Sequence, residues 1–259
     1  MRDMVLALDV GNTNIVIGCV DGDDIVFQGR METNQNKTTH QYAVEIKNIL
    51  ELSDIKNLKF GGSIISSVVP PVTGTLQDAV RLITDTEPMV VGPGIKTGLN
   101  ITIDNPAQLG SDLVVDAVAA IKYYKCPLVV IDMGTATTVS VVDKNQNYIG
   151  GMIFPGVMVS QSALTSRTSQ LPKISLNTPP KKIIGKNTVD CMKSGAIFGN
   201  AAMFDAVVDR ISDEIGEKPT IIATGGTAKF VIPYCKGDYI LDGDLLIKGL
   251  KIIYDKNKS

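Results

Sequence analysis

Two stretches of the chain carry the same polar phrase. LALDVGNTNIVIGCVD runs from Leu6 to Asp21, and VVIDMGTATTVSVVD from Val129 to Asp143. Each is an apolar run, then Asp-x-Gly, then small polar side chains, then a second apolar run. A strand that stops at Asp-x-Gly and turns into another strand makes a tight hairpin. Gly11 and Gly134 carry no side chain, so a ligand can approach the backbone closely. Amides in such a turn form an anion-binding concavity. Asn12, Thr13 and Asn14 add neutral donors, as do Thr135, Thr137 and Thr138. Asp9 and Asp132, one per hairpin, suit a hard cation held directly or through water. The chemistry this predicts is the gripping of one cation-bound polyphosphate by two hairpins. Chance is the competing account, because Asp-x-Gly is common at strand ends. The echo, however, runs on through strand, Asp, Gly, Thr, second strand, turn and third strand.

Other chemistries have little material. The one histidine, His40, rules against a Ser-His-Asp triad or a His-rich metal site, and its setting in KTTHQY reads as a solvated or capping residue beside a helix start. The four cysteines, Cys19, Cys126, Cys191 and Cys235, form no C-x-x-C pair, which argues against zinc and for buried free thiols. Reduced thiols predict a cytoplasmic protein. A net charge of −2 with scattered basic residues, and no tryptophan, predicts no nucleic-acid partner. No segment approaches 18 uncharged apolar residues, so no membrane span is expected. Acid–base chemistry is left to carboxylates.

The elements that must position these residues follow from periodicity. At 259 residues and 44% apolar, the chain has material for one large domain or two moderate ones. Strands are predicted over 4–8, 15–20 and 25–29, a helix over 39–52, a strand over 62–69 ended by Pro70-Pro71, a helix over 72–84, and a short strand over 88–91. The second half repeats the order: strands over 128–131, 139–142 and 148–153, a helical stretch over 188–215, a strand over 220–223, the start of a helix over 228–233, and a closing helix over 245–254. In LGSDLVVDAVAAIKYY a helix pattern starts near Ser111 or Asp112, and either residue can cap it. Asp116, one turn on, reads as an ordinary polar position. The expectation is a mixed-sheet α/β fold with an internal duplication.

The doubled hairpin resembles the actin, Hsp70 and sugar-kinase superfamily, in which each domain gives one phosphate hairpin and ATP sits in a cleft between them. IIATGGTAKF is similar to its third element, a strand, Gly-Gly turn and helix that touch the adenosine, with Gly225 and Gly226 at the turn. Closer matches narrow this. SSVVPP (66–71), GPGIKTGL (92–99), DMGTATT (132–138), GGMIFPG (150–156) and GKNT (185–188) together resemble the type III pantothenate kinases, in order along nearly the whole chain. The resemblance implies two duplicated actin-like (RNase H-like) domains, 1–120 and 121–259. It implies transfer of phosphate from ATP to the primary hydroxyl of pantothenate, the first step toward coenzyme A. It implies a homodimer that needs Mg2+ and a monovalent cation, K+ or NH4+. Asp9, Val10, Gly11, Asn12, Thr13, Asn14, Ile15 and Val16 fall on the family's first phosphate hairpin and Thr135 on the second. Asp132 falls on the monovalent-cation ligand, and Asp9 on a Mg2+ partner acting directly or through water. Asp112 falls on the base that accepts the hydroxyl proton. Gly110, Ser111, Leu113 and Ile103 fall on substrate-binding positions, and Thr188 on a substrate-binding threonine that reaches across the dimer. At Asp112 the capping and catalytic roles can coexist, and a helix N-terminus favours its ionised form.

The chain departs from the family on the acceptor side. The family writes Gly-x-Asp-Arg where this chain has Gly110-Ser111-Asp112-Leu113, and a tyrosine where it has Ile103. It also favours acidic residues after Lys-Thr, absent from KTTHQY, and many members carry an aspartate at Ser140. Losing the arginine's charged hydrogen bond is worth about 1.5–3 kcal/mol, roughly ten- to a hundredfold in kcat/KM. Three readings follow: a pantothenate kinase with a rebuilt acceptor pocket, a relative with weak or changed acceptor activity, and a non-catalytic nucleotide-binding accessory protein. The small-residue stretch 194–206 suits close packing against another helix, in a dimer or in the core.

Overall fold

A computed structural model describes residues 4–53 and 59–258. The chain forms two compact units. The first comprises Met1–Leu99, Asp104–Lys122 and Asp244–Ser259; the second comprises Asn100–Ile103 and Tyr123–Gly243. A single cut near residue 120 therefore differs from the observed division at two places. The closing helix packs with the first unit, and Asn100–Ile103 joins the second.

The first unit contains β1 (Met4–Val10), β2 (Asn14–Asp21), β3 (Asp24–Glu32), α1 (Thr39–Leu52), β4 (Phe60–Ser67), α2 (Pro70–Thr84) and β5 (Met89–Val90). Its sheet order is β3-β2-β1-β4-β5. The β1–β2 and β2–β3 pairs are antiparallel, while β4 and β5 run parallel to β1. Strand alternation gives the sheet two faces. Leu6, Leu8 and Val10, with Ile15 and Ile17, bury against Tyr42, Ile46 and Leu50 of α1 and Val72, Leu76 and Val80 of α2. α1 begins where Thr38 and Gln41 form a reciprocal capping box, and α2 begins on a proline, whose fixed φ suits a first turn.

The second unit contains β6 (Asn100–Ile101), β7 (Leu128–Met133), β8 (Ala136–Val142), β9 (Asn147–Pro155), α4 (Val157–Arg167), α5 (Thr188–Ser194), α6 (Asn200–Ile215), β10 (Thr220–Thr224), α7 (Ala228–Val231) and β11 (Tyr239–Leu241). In chain order, α3 (Ser111–Tyr123) precedes β7 and α8 (Leu245–Asn257) follows β11. Both pack with the first unit, apart from Tyr123 at the end of α3. The second sheet has the order β11-β10-β7-β8-β9-β6. Stripped of the short edge strand β6, it matches the first sheet strand for strand: an antiparallel meander, then two parallel strands beside its first member. The duplication read from the two Asp-x-Gly phrases is thus present in the topology. The core of this unit sets Val129, Ile131 and Met133 against Phe204, Val207 and Ile211 of α6.

Several expectations are corrected. The helical stretch from Thr188 is broken by a π-turn at Gly195–Gly199 between α5 and α6. The helix from Ala228 ends at Val231 and passes into a 3-10 turn at Ile232–Tyr234. Asp116 is 1% exposed, so it is an interior position. Cys19 is buried, but Cys191 is exposed on α5. His40 lies exposed in the first turn of α1, where Thr38 does the capping. No helix among the described residues is long and apolar enough to cross a membrane.

Candidate active site

In the first unit the β1–β2 turn is closed by Gly11 N–H donating to Asn14 O at 3.0 Å. Asn12, Thr13 and Asn14 stand exposed at its tip, while the Ile15 side chain is fully buried. Thr33, beyond the end of β3, clamps the turn: its hydroxyl donates to Gly11 O at 2.7 Å and its N–H to Thr13 O at 3.0 Å. Nothing in the local sequence marks Thr33, whose role arises only when β3 folds back along β2.

Asp9 lies on the sheet face opposite the α1–α2 core, 7% exposed, and pairs in register with Ser66 of β4. On this face α8 packs against β1 and β4 with close approaches. Gly18 lies under Ile247, Gly62 under Tyr254, and Gly249 under the backbone of Val115 in α3. α3 reaches the same strand ends. Ser111 Oγ lies 3.0 Å from Ser66 Oγ, donates to Ser67 O at 3.1 Å and accepts from Ser67 N–H at 3.2 Å. The next residue is Asp112.

Asp112 sits inside the first turn of α3, and Gly110 supplies the carbonyl that opens the helix, accepting from Val114 N–H at 3.2 Å. The Asp112 carboxylate accepts from Leu113 N–H at 2.9 Å. A side chain at Gly110 would overlap Asp112 Oδ1, which accounts for the glycine. Burial pushes the Asp112 carboxyl above its ordinary range, and hydrogen bonds from the Leu113 and Asp112 N–H groups offset this only in part. The helix start therefore does not leave a lowered pKa, as its position suggested. It leaves a carboxylate more basic than usual, suited to taking a proton.

In the second unit β7 and β8 meet at Gly134-Thr135. The turn rests on Gly156: its N–H donates to Thr135 O at 3.1 Å, and a Cβ there would overlap the Gly134 and Thr135 carbonyls. Asp132 is half-buried and lies between Thr138 of β8 and Thr224 of β10. Gly225 follows Thr224 with φ +91° and lies directly against Asp132 Oδ1. Thr227 fastens this turn with two bonds to Met133 O, from its N–H at 3.2 Å and its hydroxyl at 2.9 Å. The Gly225-Gly226 turn and the Asp132 strand end are thus one packed piece.

The first unit brings the 9–16 turn together with Gly110–Leu113, and the second brings Asp132 and Thr135 together with Gly225-Gly226. Ile103 is half-buried in the second unit, just beyond β6. Thr188 is exposed at the first position of α5, which is capped by Asn187 Oδ1 accepting from Asp190 N–H at 2.9 Å. A groove of about 630 Å3 lined by Arg30, His40, Val44 and Leu52 contains none of these residues.

The donors suit hard cations. Asp9 and Asp132 offer oxygen, and Thr138, the cross-strand partner of Asp132, has a buried hydroxyl oxygen without a hydrogen-bond partner. No group of three or more His, Cys, Asp or Glu side chains gathers among the described residues.

Two like-ordered mixed sheets, each with an Asp-x-Gly turn between the first two strands of its meander, define the actin-like class of folds. A solved structure of MreB 5 of Spiroplasma citri bound to AMPPNP shares this fold, with TM-score 0.59 and 10% identity, covering 100% of this chain and 98% of that one. The family model for type III pantothenate kinase matches residues 5–210. A type III pantothenate kinase from Exiguobacterium is 44% identical over 256 residues, 99% of this chain and 100% of the relative. Another, from Halalkalibacterium halodurans, is 41% identical over 254 residues, 98% of this chain and 100% of the relative. This chain belongs to the type III pantothenate kinase family.

Proposed function

We propose that the chain transfers the γ-phosphoryl group of ATP to the primary hydroxyl of pantothenate, giving ADP and 4'-phosphopantothenate. The hydroxyl oxygen forms the new bond to phosphorus as the bond to the ADP oxygen breaks. Asp112 accepts the hydroxyl proton. The observation that carries this reading is the placement of Asp112, held by Ser111 at the strand end beside Ser66, the register partner of Asp9. Phosphoryl transfer asks mainly for positioning and charge neutralisation, with one base aimed at the nucleophile. The 9–16 turn in the first unit and the Thr135 turn in the second each offer N–H and hydroxyl donors suited to phosphate oxygens, and the Gly225-Gly226 turn is assigned to the adenosine.

Mg2+ associated with Asp9, and K+ or NH4+ held by Asp132, would neutralise phosphate charge. The positions assigned to pantothenate are Gly110–Leu113 in the first unit and Ile103 in the second. The active form is a homodimer in which Thr188 serves the partner's substrate. Exposed apolar side chains of the second unit support that assembly: Ile153 is 76% exposed, Ile184 78% and Met158 46%. The thiols and the coenzyme A role suit the cytoplasm.

A second reading has one specific observation behind it. Leu113 and Ile103 stand where the family carries arginine and tyrosine, which favours a changed or weakly used acceptor. Both readings are tested by ADP release from ATP, with and without pantothenate, alongside calorimetric ATP binding. Pantothenate-dependent release supports the first. ATP binding without pantothenate stimulation rejects it in favour of another acceptor or an accessory role.

A further inference from the structure

The hydroxyl of Ser111 is fully committed. It donates to Ser67 O at 3.1 Å, accepts from Ser67 N–H at 3.2 Å, and with its proton so used accepts from Ser66 Oγ at 3.0 Å. A hydroxyl has one proton and two lone pairs, so no capacity remains for a substrate. Ser66 is 0% exposed and is the register partner of Asp9. The path from Asp9 to Asp112 is therefore short and rigid: a β-ladder pair, a buried serine, a saturated serine hydroxyl and one peptide bond.

We propose that Ser66 and Ser111 are positioning residues that set the distance between the phosphate hairpin and the Asp112 carboxylate, and that the Ser111 hydroxyl does not bind substrate. The backbone on either side requires such a tie. Gly110 leaves no side chain to anchor the helix entry, and its missing Cβ is what admits the Asp112 carboxylate. Val68, just beyond β4, lies near Gly110 and adds an apolar contact at the same helix entry. Without the serine pair the turn can shift relative to β1 and β4, and a shift of about 1 Å at a base costs on the order of a hundredfold. A residue acting in this way affects the chemical step and spares nucleotide binding, because the hairpin is clamped separately by Thr33.

The inference rests on Asp112 as the base, so the test includes that residue. Steady-state ADP release at varied ATP and pantothenate, with calorimetric ATP binding, is measured for Ser111→Ala, Ser66→Ala, Ser111→Thr and Asp112→Asn. Ser111→Ala is expected to lower kcat about tenfold or more, with the ATP Kd within about twofold of wild type. Ser111→Thr, which keeps the hydroxyl, should recover most of that loss, and Ser66→Ala should lose several-fold. A wild-type kcat in Ser111→Ala, or a loss that follows ATP affinity, overturns the proposal. If Ser111→Ala does not fold, Ser66→Ala decides: lowered kcat with intact ATP binding supports the tie, and unchanged kcat rejects it. Normal turnover in Asp112→Asn removes the base itself, which no result on the serines would imitate.

Discussion

Gly225 lies so close to Asp132 that a methyl group on it would occupy the place of Asp132 Oδ1 and press on Met133 N. Its φ of +91° is also one that side-chain-bearing residues rarely adopt. The glycine at the turn proposed to meet the nucleotide thus clears space for the carboxylate proposed to hold the monovalent cation. Gly225→Ala should displace that carboxylate and cost about 1–3 kcal/mol in backbone strain. The expected result is a lower Tm and loss of K+-dependent ATP binding, read by calorimetry at varied K+ with constant ionic strength. An unchanged K+ dependence would separate Gly225 from Asp132.

Asp112 is half-buried, and the desolvation raises its pKa, so the fold favours its protonated form. The stability that proton contributes is present below the unfolded pKa, about 3.9, and is lost as pH rises through the higher folded value. At neutral pH the ionised group therefore opposes folding. Asp112→Asn should be more stable than wild type at pH 7, with the difference vanishing in acid, while turnover is abolished and ATP binding spared. Thermal melts across pH 4–8 check the stability sign. A less stable variant at neutral pH would contradict it.

Leu113 offers neither charge nor a donor fork at the position where the family resemblance implies an arginine. Leu113→Arg is expected to raise kcat/KM for pantothenate by about ten- to a hundredfold, the worth of a charged hydrogen bond. No gain would mean that another cation already faces the acceptor.

Thr33 holds the Gly11 carbonyl through a 2.7 Å hydrogen bond. Thr33→Val keeps the shape and removes the donor, at about 1 kcal/mol. ATP affinity should fall about fivefold, measured calorimetrically, with kcat at saturating ATP nearly unchanged. A large fall in kcat instead would place Thr33 in the chemical step.

Ile153 is 76% exposed on β9, and Ile149 and Met152 of the same strand are exposed beside it. Ile153→Asp should shift sedimentation toward a monomer and suppress pantothenate turnover while ATP still binds. A dimer that persists would move the interface elsewhere.

What the sequence conveys well is local. α1 runs over the residues that its periodicity and its Thr-x-x-Gln start indicate, since capping and spacing act within one helix. The two hairpins are legible for the same reason. α4 was invisible: VMVSQSALTSR has no apolar stripe, and only Val157 and Gln161 are buried. Thr33 and the Ser66–Ser111 bond were hidden because the partners, 22 and 45 residues apart, meet only after folding. Asp116 looked like a surface residue because no spacing rule reveals that α8 covers the same sheet face as α3, with Gly249 against Val115. Ser111 could be carried over as a substrate contact from motif likeness, while its saturated hydroxyl could not be read from type or spacing.

The return of α8 to the first unit has a consequence for how the protein comes off the ribosome. Leu245, Ile247, Leu250 and Ile253 are fully buried, and packing side chains of this kind is worth about 1.5–3 kcal/mol each. Together that rivals the whole net stability of an ordinary domain, about 5–15 kcal/mol. The sheet bearing Asp9 therefore lacks one of its covering helices until every residue of the second unit has been translated. The α1–α2 core on the other face, drawn wholly from residues 4–90, can close early, while the Asp9 face waits for a helix encoded last.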